Sequence, residues 1–433
     1  MKLIWRNIWR NRRRTVITMA SIFFAVFFCV IMMSFQTGTW GRMVENMLKT
    51  QTGHIQIHAK GYWDDKIIDN FMFMDAATIT QIENIDNIEN VSPRIETFAM
   101  AASGVVSKVV AVVGISPKKE AQKSNLPSRI VKGEYLMESD EGILIGEGLG
   151  KYLKANIGDT LALIGQGYHG ASAAQLFPIR GIVKLMSTEM DNGLIYATLP
   201  SVQNFIDMPD GYSGILISIK DDKRLNEMMG VISGQLSVGS GEKEVVGDEN
   251  TENRKLETEN STKAENWKLK TENYEILSWH FTMDRLLQQS ISDRAFGVIL
   301  MSILYIIVGF GILGTVIMMT NERKREFCVM ISIGMSRMRL ALTTAFELFV
   351  ISLIGVGLAL AITLPITHWF TAHPIELSGD MAIMMSDYGM EPLLPMSVNI
   401  SIFINQMITI LVIVVLTVIY PVRQILKLKI VNS

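Results

Sequence analysis

The sequence predicts an α-helical membrane protein with four transmembrane helices and a large α+β extracytoplasmic domain inserted between helices 1 and 2. Three observations predict it. Four uncharged or nearly uncharged runs reach the roughly 20 residues of helix that a bilayer requires. Lysine and arginine cluster at three places around those runs, and none occurs between Arg339 and Arg423. The long region between the first two runs alternates strand-like and helix-like patterns. Composition agrees: charged residues are 19% and mean hydropathy is +0.28, outside the usual range of soluble domains. The net charge of −2 gives no bulk attraction to nucleic acid, and no nucleic-acid partner is expected.

Residues 1–14, MKLIWRNIWRNRRR, place Ile4, Trp5, Ile8 and Trp9 at helical spacing among arginines. That pattern predicts an amphipathic helix lying in the membrane interface, tryptophans at headgroup level. The spans follow at 15–37, 296–320, 341–370 and 400–420. The first is too long for a signal-peptide core and lacks a small-x-small cleavage site, so it reads as an uncleaved anchor. Phe27-Phe28 ahead of Cys29 argue against a lipidation site there.

The positive clusters are Lys2 to Arg14, Arg323 to Arg339, and Arg423 to Lys429, whereas 371–399 carries only Glu376, Asp380, Asp387 and Glu391. Positive charge stays inside. Both termini (the tail being 421–433) and the 321–340 loop are therefore expected in the cytoplasm, with 38–295 and 371–399 outside, in a multi-pass protein. Cys29 and Cys328 then lie too far apart to pair, so the outer domain is expected without a disulfide.

Within 38–295, Trp40, Met43, Val44, Met47 and Leu48 continue a helical stripe beyond the first span, and Met283, Leu286, Leu287 and Ile291 lead into the second. Two stalks that pack on each other are expected. GHIQIHAK (53–60) alternates and reads as a strand with His54, Gln56 and His58 on a solvated face. DAATITQIENI reads as a helix, and the valine- and isoleucine-rich runs from Val91 to Ile219 read as further strands. Residues 237–275 are dominated by Asn, Glu, Lys, Thr and Ser, with NRKLETEN recurring as NWKLKTEN. So polar a stretch predicts a disordered insertion.

Chemistry-bearing motifs are few. GQGYHG (165–170) fits G-x-G-x-x-G, but strand-like residues follow it, and a hairpin tip reads better than a dinucleotide site. His54 and His58 would stand about 13 Å apart on a strand, too far to share a metal. No G-x-x-x-x-G-K-[ST], catalytic triad or carboxylate pair stands out, so no catalytic or metal site and no enzyme activity is predicted. Glu347 is the one acid inside a span; it either reaches the interface or bonds a neighbouring helix. Gly355 and Gly357 would let helices approach closely.

This order of features resembles the permease subunits of FtsX/MacB-type ABC transporters. The segment ERKREFCVMISIGMS (322–336) is similar to that family's loop between its second and third spans. Glu347 and Gly355 fall where the family often has an acid and a glycine. YPVRQILKLKIV (420–431) is similar to its closing segment. GILIGEGLGKYLKANIGDTLALI and ILSWHFTMDRLLQQSISD resemble the lipoprotein-releasing LolC/LolE branch. The resemblance implies an ABC ATPase as partner, which would bind ATP and Mg, so no cofactor is expected in this chain. It also implies a second permease, identical or a sister chain. It assigns ATPase coupling to Glu322, Arg323, Arg325, Glu326, Phe327, Ile333 and Gly334. Phe327 is expected as the apolar anchor in the ATPase groove, with Arg323, Arg325 and Glu326 at a wetter rim. A carrier-docking hairpin falls at 165–177, with Gly165, Gly167, Tyr168, Gly170 and Phe177. Lipoprotein release, through a periplasmic carrier, is the expected activity; MacB-like export of peptides or drugs, or FtsX-like regulation of a cell-wall hydrolase, are the alternatives.

Overall fold

A computed structural model describes residues 12–185, 187–238, 268–387 and 392–427. Residues 1–11 of the expected interfacial helix lie outside them. The chain forms two compact units: Met1–Arg42 with Gln288–Leu377 and Leu393–Ser433, and Met43–Leu287 with Ser378–Pro392.

The first unit is built on four long helices, Arg12–Met47, Asp284–Glu322, Arg337–Ala372 and Ile400–Leu426. Each contains a window of mean hydropathy between 2.5 and 2.7, long and apolar enough to cross a membrane. Ile22, Val26 and Val30 pack with Ile312, Val316, Leu348, Val356, Ile410 and Val414 in a shared core. Phe24, Phe28, Ile303, Ile307 and Phe310 are exposed on the outside, as suits helices solvated by lipid tails. Gly355 is buried, and a Cβ there would stand 3.1 Å from Met19 O and 3.2 Å from Ile22 Cβ. The first and third helices thus approach at a glycine, as expected; Gly357 has nothing within 4 Å.

The first two helices overrun the predicted spans, as the stalk stripes require. The first ends in a π turn, Leu48–Thr52, closed by Gly53 at φ +62°. The second follows a short turn, Trp279–Thr282. Gln36 Nε2 donates to Asp293 O at 2.9 Å, and Gln36 sits where a Cβ on Gly297 would go. The two helices touch there, beside the ends of the predicted spans and not through the stripe residues of 40–48 and 283–291.

The second unit contains β1 (Ile55–Ala59), β2 (Met72–Phe73), β3 (Ile88–Ser103), β4 (Val106–Ile115), β5 (Ile130–Gly133), β6 (Ile143–Gly146), β7 (Thr160–Gln166), β8 (Ser172–Val183), β9 (Leu194–Thr198), β10 (Gly211–Tyr212), β11 (Gly214–Ile219), β12 (Lys268–Lys270) and β13 (Tyr274–Ser278). The long strand β3 serves two sheets. Its first half pairs with β11, which continues through β1 and β13 to β12. Its second half pairs with β4 on one side and β7 on the other. The cycle β3-β4-β9-β6-β8-β7 closes on itself, which leaves these strands no free edge. Ile95, Val112, Ile145, Leu163, Phe177 and Ile195 fill its interior.

Two expectations are corrected here. The polar stretch 237–275 does not read through as an insertion: Leu225–Val238 is a helix, and β12 and β13 occupy 268–270 and 274–278. Ile276 and Leu277 give β13 its buried residues, and it pairs with β1 over five positions from Ile55↔Ser278 to Ala59↔Tyr274. Residues 239–267, which carry the rest of that prediction, lie outside the described part. The polar face of β1 is not solvated either. Gln56 and His58 are buried, because Tyr62 and Trp63 from the next turn lie against the His58 ring at 5.0 and 5.6 Å.

Candidate coupling site

The charged segment after the second span folds as a helix of its own, Lys324–Ser332. Arg323 breaks the continuity, and Gly334 ends the new helix at φ +102°. Gly334 N donates to Ile331 O and Met335 N to Met330 O, both at 3.0 Å, the paired bonds of a Schellman stop. The third long helix then begins, with Ser336 accepting from Arg339 N.

Two contacts hold this helix on the membrane unit. Phe327 is only 2% exposed and packs with Leu340, Ala341 and Ile425. Arg323, 4% exposed, reaches into the bundle, where its Nη1 donates to Glu347 Oε2 at 2.7 Å. Of the two alternatives for Glu347, bonding a neighbouring segment is the one observed. Burial of both partners explains why each is tolerated: neither charge is left alone in an apolar setting.

These placements correct two expectations. Phe327 is not a surface anchor for a partner, because its ring is used inside this chain. Arg323 is not at a wet rim, because Glu347 draws it inward. The opposite face of the helix is open. Arg325, Glu326 and Glu322 are exposed, Val329 is 57% exposed, and Ile333, at the helix end, is 81% exposed. Exposed charged and apolar groups therefore share the open side of this short, seated helix and its ends.

The comparisons bear on what such a unit belongs to. The model of the MacB-like periplasmic core domain matches residues 15–234, just over half of the chain. The model of the FtsX-like permease C-terminal domain matches residues 298–430. The chain belongs to the MacB/FtsX family of ABC transporter permeases. Among solved structures, the periplasmic region of MacB from Actinobacillus actinomycetemcomitans is similar at 18% identity, over 47% of this chain and 91% of that one, TM-score 0.34. The extracellular domain of the noncanonic ABC-type transporter YknZ from Gram-positive bacteria is similar at 11% identity, over 44% and 97%, TM-score 0.34. A domain of a putative permease from Porphyromonas gingivalis is similar at 13% identity, over 42% and 79%, TM-score 0.27.

In this MacB/FtsX-type permease the glycine-rich stretch is a hairpin tip between antiparallel β7 and β8, not the strand-to-helix turn that a dinucleotide site needs. Gly170 takes φ +76°. The tip is tied down: Tyr168 N donates to Ile206 O at 2.8 Å and His169 N to Asp69 Oδ1 at 2.9 Å. Gly167 N donates to Ala171 O, and Gly165 lies in β7 facing the Phe98 carbonyl. Phe177 is a core residue, edge-on to Phe205 at 5.9 Å, so it cannot offer its ring to a carrier. The structure instead brings an apolar face to the barrel's outside. Phe98 (70% exposed), Met100, Val109, Ile164 and Leu176 (67% exposed) lie on neighbouring strands β3, β4, β7 and β8.

Sequence reading missed a buried polar cluster where the first stalk ends. Arg94 donates to Thr50 O at 2.8 Å and Gln51 O at 3.1 Å, the carbonyls of the π turn, and pairs with Glu120 at 2.8 Å. Burial would raise the Glu120 carboxyl, but Arg94 and Lys123 hold it below its usual range. Burial pushes the Lys123 ammonium down to about 7, and Arg94 adds to the effect. The signal in the sequence was an arginine and a proline inside a strand-like run, VSPRIETF. Asp191 was missed too. Its carboxylate accepts from Glu147 N, Gly148 N and Leu185 N between 2.9 and 3.2 Å and pairs with Lys184.

Proposed function

We propose that this permease works with a separate ABC ATPase, which binds ATP and Mg, and that it releases lipoproteins from the outer face of a bacterial inner membrane. The observation that carries the ATPase reading is the seated helix Lys324–Ser332. A partner that moves Arg325, Glu326, Val329 and Ile333 would also move Arg323 and Phe327. Through them it would displace the third and fourth spanning helices. The first two helices run without a break in chain from the membrane unit into the outer one, so the outer unit is where that motion would be spent. The chain itself then needs no cofactor. A second permease, identical or a sister chain, would complete the transporter, with both termini in the cytoplasm.

The lipoprotein reading draws on the likeness of the Gly142–Ile164 region to lipoprotein-releasing permeases, and on the exposed apolar face of the barrel, which suits lipidated or unfolded apolar cargo. Export of peptides or drugs is the second reading, favoured by the same face. The test is capture of the full chain from native membranes in mild detergent, followed by ATP addition in reconstituted vesicles. An ABC ATPase should co-purify, and ATP should release a lipidated protein into the aqueous phase. Capture of an ATPase with transport of soluble peptides and no lipoprotein release overturns the cargo. Activation of a bound cell-wall hydrolase without any transport overturns it in favour of a signal relay.

A further inference from the structure

Within the membrane unit, a cleft of about 710 Å³ opens between the ends of the second and fourth long helices. Its walls include Leu313, Lys324, Leu416, Tyr420, Arg423 and Lys427. On the fourth helix, Leu416, Tyr420, Arg423 and Lys427 follow at intervals of four, three and four residues, and so lie along one face. Along about 16 Å of that face the chemistry passes from aliphatic to aromatic to cationic. The other wall repeats the sequence, from Leu313 to Lys324.

None of Lys324, Arg423 and Lys427 makes a side-chain hydrogen bond or ion pair among the described residues. Among the described residues, no acid lines the cleft. Three unpaired cations close together repel one another, and a bound anion relieves that. An anion free in solution would use only the cationic end. An anionic phospholipid would use the whole length: phosphate on the cations, glycerol region beside Tyr420, acyl chain along Leu416 and Leu313.

We propose that this cleft is a binding site for one anionic phospholipid of the leaflet on the side of the 321–340 loop. The inference needs the chain to span a bilayer; it does not depend on which cargo is moved. Lys324 is the first residue of the seated helix, so a bound headgroup would bridge that helix to the fourth span and hold the two together.

The test uses the full chain in lipid nanodiscs and native mass spectrometry to count retained lipids. Phosphatidylglycerol should be retained in preference to phosphatidylcholine of the same acyl chains. The triple exchange Lys324→Gln, Arg423→Gln, Lys427→Gln should lower apparent phosphatidylglycerol affinity about tenfold or more. Arg337→Gln with Arg339→Gln, two cations outside the cleft, should not. Arg423→Lys keeps the charge and should keep the lipid, which guards against misfolding of the triple variant. Leu416→Asn should weaken lipid retention without affecting any binding of inorganic phosphate. Equal retention by the triple variant and the wild type overturns the site. Displacement of the lipid by millimolar inorganic phosphate assigns the cations to a soluble anion and overturns it as well.

Discussion

Arg323 and Glu347 meet at 2.7 Å, both almost wholly buried, one at the start of the helix Lys324–Ser332 and the other inside the third spanning helix. The pair joins the segment proposed to receive the ATPase to the third spanning helix. Removing one partner strands the other. Glu347→Ala should cost about 3–5 kcal/mol, as for other broken buried pairs. Replacing both, Arg323→Met with Glu347→Leu, should recover most of that loss while uncoupling ATPase activity from transport. Thermal unfolding in detergent and a double-mutant cycle measure it. Additive losses would mean that the two side chains do not act as a pair.

Phe327 and Ile333 separate two roles that sit six residues apart. Phe327→Ala empties a pocket shared with Leu340, Ala341 and Ile425, and large-to-small exchanges of this kind cost about 3–5 kcal/mol. Val329→Ala and Ile333→Ala lie on the open face and should change stability by only about 0.5 kcal/mol, while reducing ATPase capture. Melting temperature and co-purification on the same preparations decide between the faces. Unchanged melting with lost capture for Phe327→Ala would make that ring the contact after all.

Sequence made the spans legible because apolar length and basic clusters are local properties. It made most strands legible because alternation is local too. Most of the failures involve partners that local pattern does not show. Nothing near Phe327 announces that Ile425, at the far end of the chain, covers it. Nothing near Arg323 announces Glu347. The polar face of β1 looked solvated because burial of His58 depends on how Tyr62 and Trp63 fold back. Barrel closure depends on β3 pairing with β7 and β4 with β9, partners separated by long stretches of sequence. The end of 237–275 was lost in a polar average, because the apolar residues of its strand, Ile276 and Leu277, lie just beyond that stretch.

Asp191 and Asn192 explain two glycines of GILIGEGLG. A Cβ on Gly146 would stand 2.0 Å from Asp191 O, and one on Gly148 2.2 Å from Asn192 Oδ1. The first obstacle is backbone and cannot rotate away. Gly146→Ala should therefore destabilise the outer unit by about 1–3 kcal/mol or more. Asp191→Ala leaves up to three backbone donors without their acceptor, at about 1–3 kcal/mol for each one that stays buried. Gly193→Ala, with nothing within 4 Å, serves as the control and should be nearly silent. Urea unfolding followed by fluorescence reports all three. A silent Gly146→Ala would show that the β6 turn relaxes freely.

His58 is buried, its Nδ1 lies 2.7 Å from Ser213 O, and its ring stacks on Tyr62. A carbonyl only accepts, so in the neutral ring Nδ1 carries the proton and donates it. Burial lowers the imidazole from about 6.5 to about 4; the Ser213 carbonyl opposes the shift, Lys66 and Lys268 add to it, and Glu275 opposes it. Between those two values the unfolded chain holds a proton that the folded chain does not. Stability from this residue is therefore complete above pH 6.5 and is lost as pH falls towards 4. The gap corresponds to about 3 kcal/mol at most. Other groups titrate in the same range, so a difference is needed. His58→Gln removes the titration: it should lower stability at pH 7.5 but flatten the fall between pH 6.5 and 4 relative to the wild type. Trp63, with its ring 5.6 Å from His58, provides the fluorescence signal for thermal unfolding across that range. Parallel curves for wild type and variant would show that His58 is protonated in the folded chain as readily as in the unfolded one, and would remove it as a source of acid sensitivity.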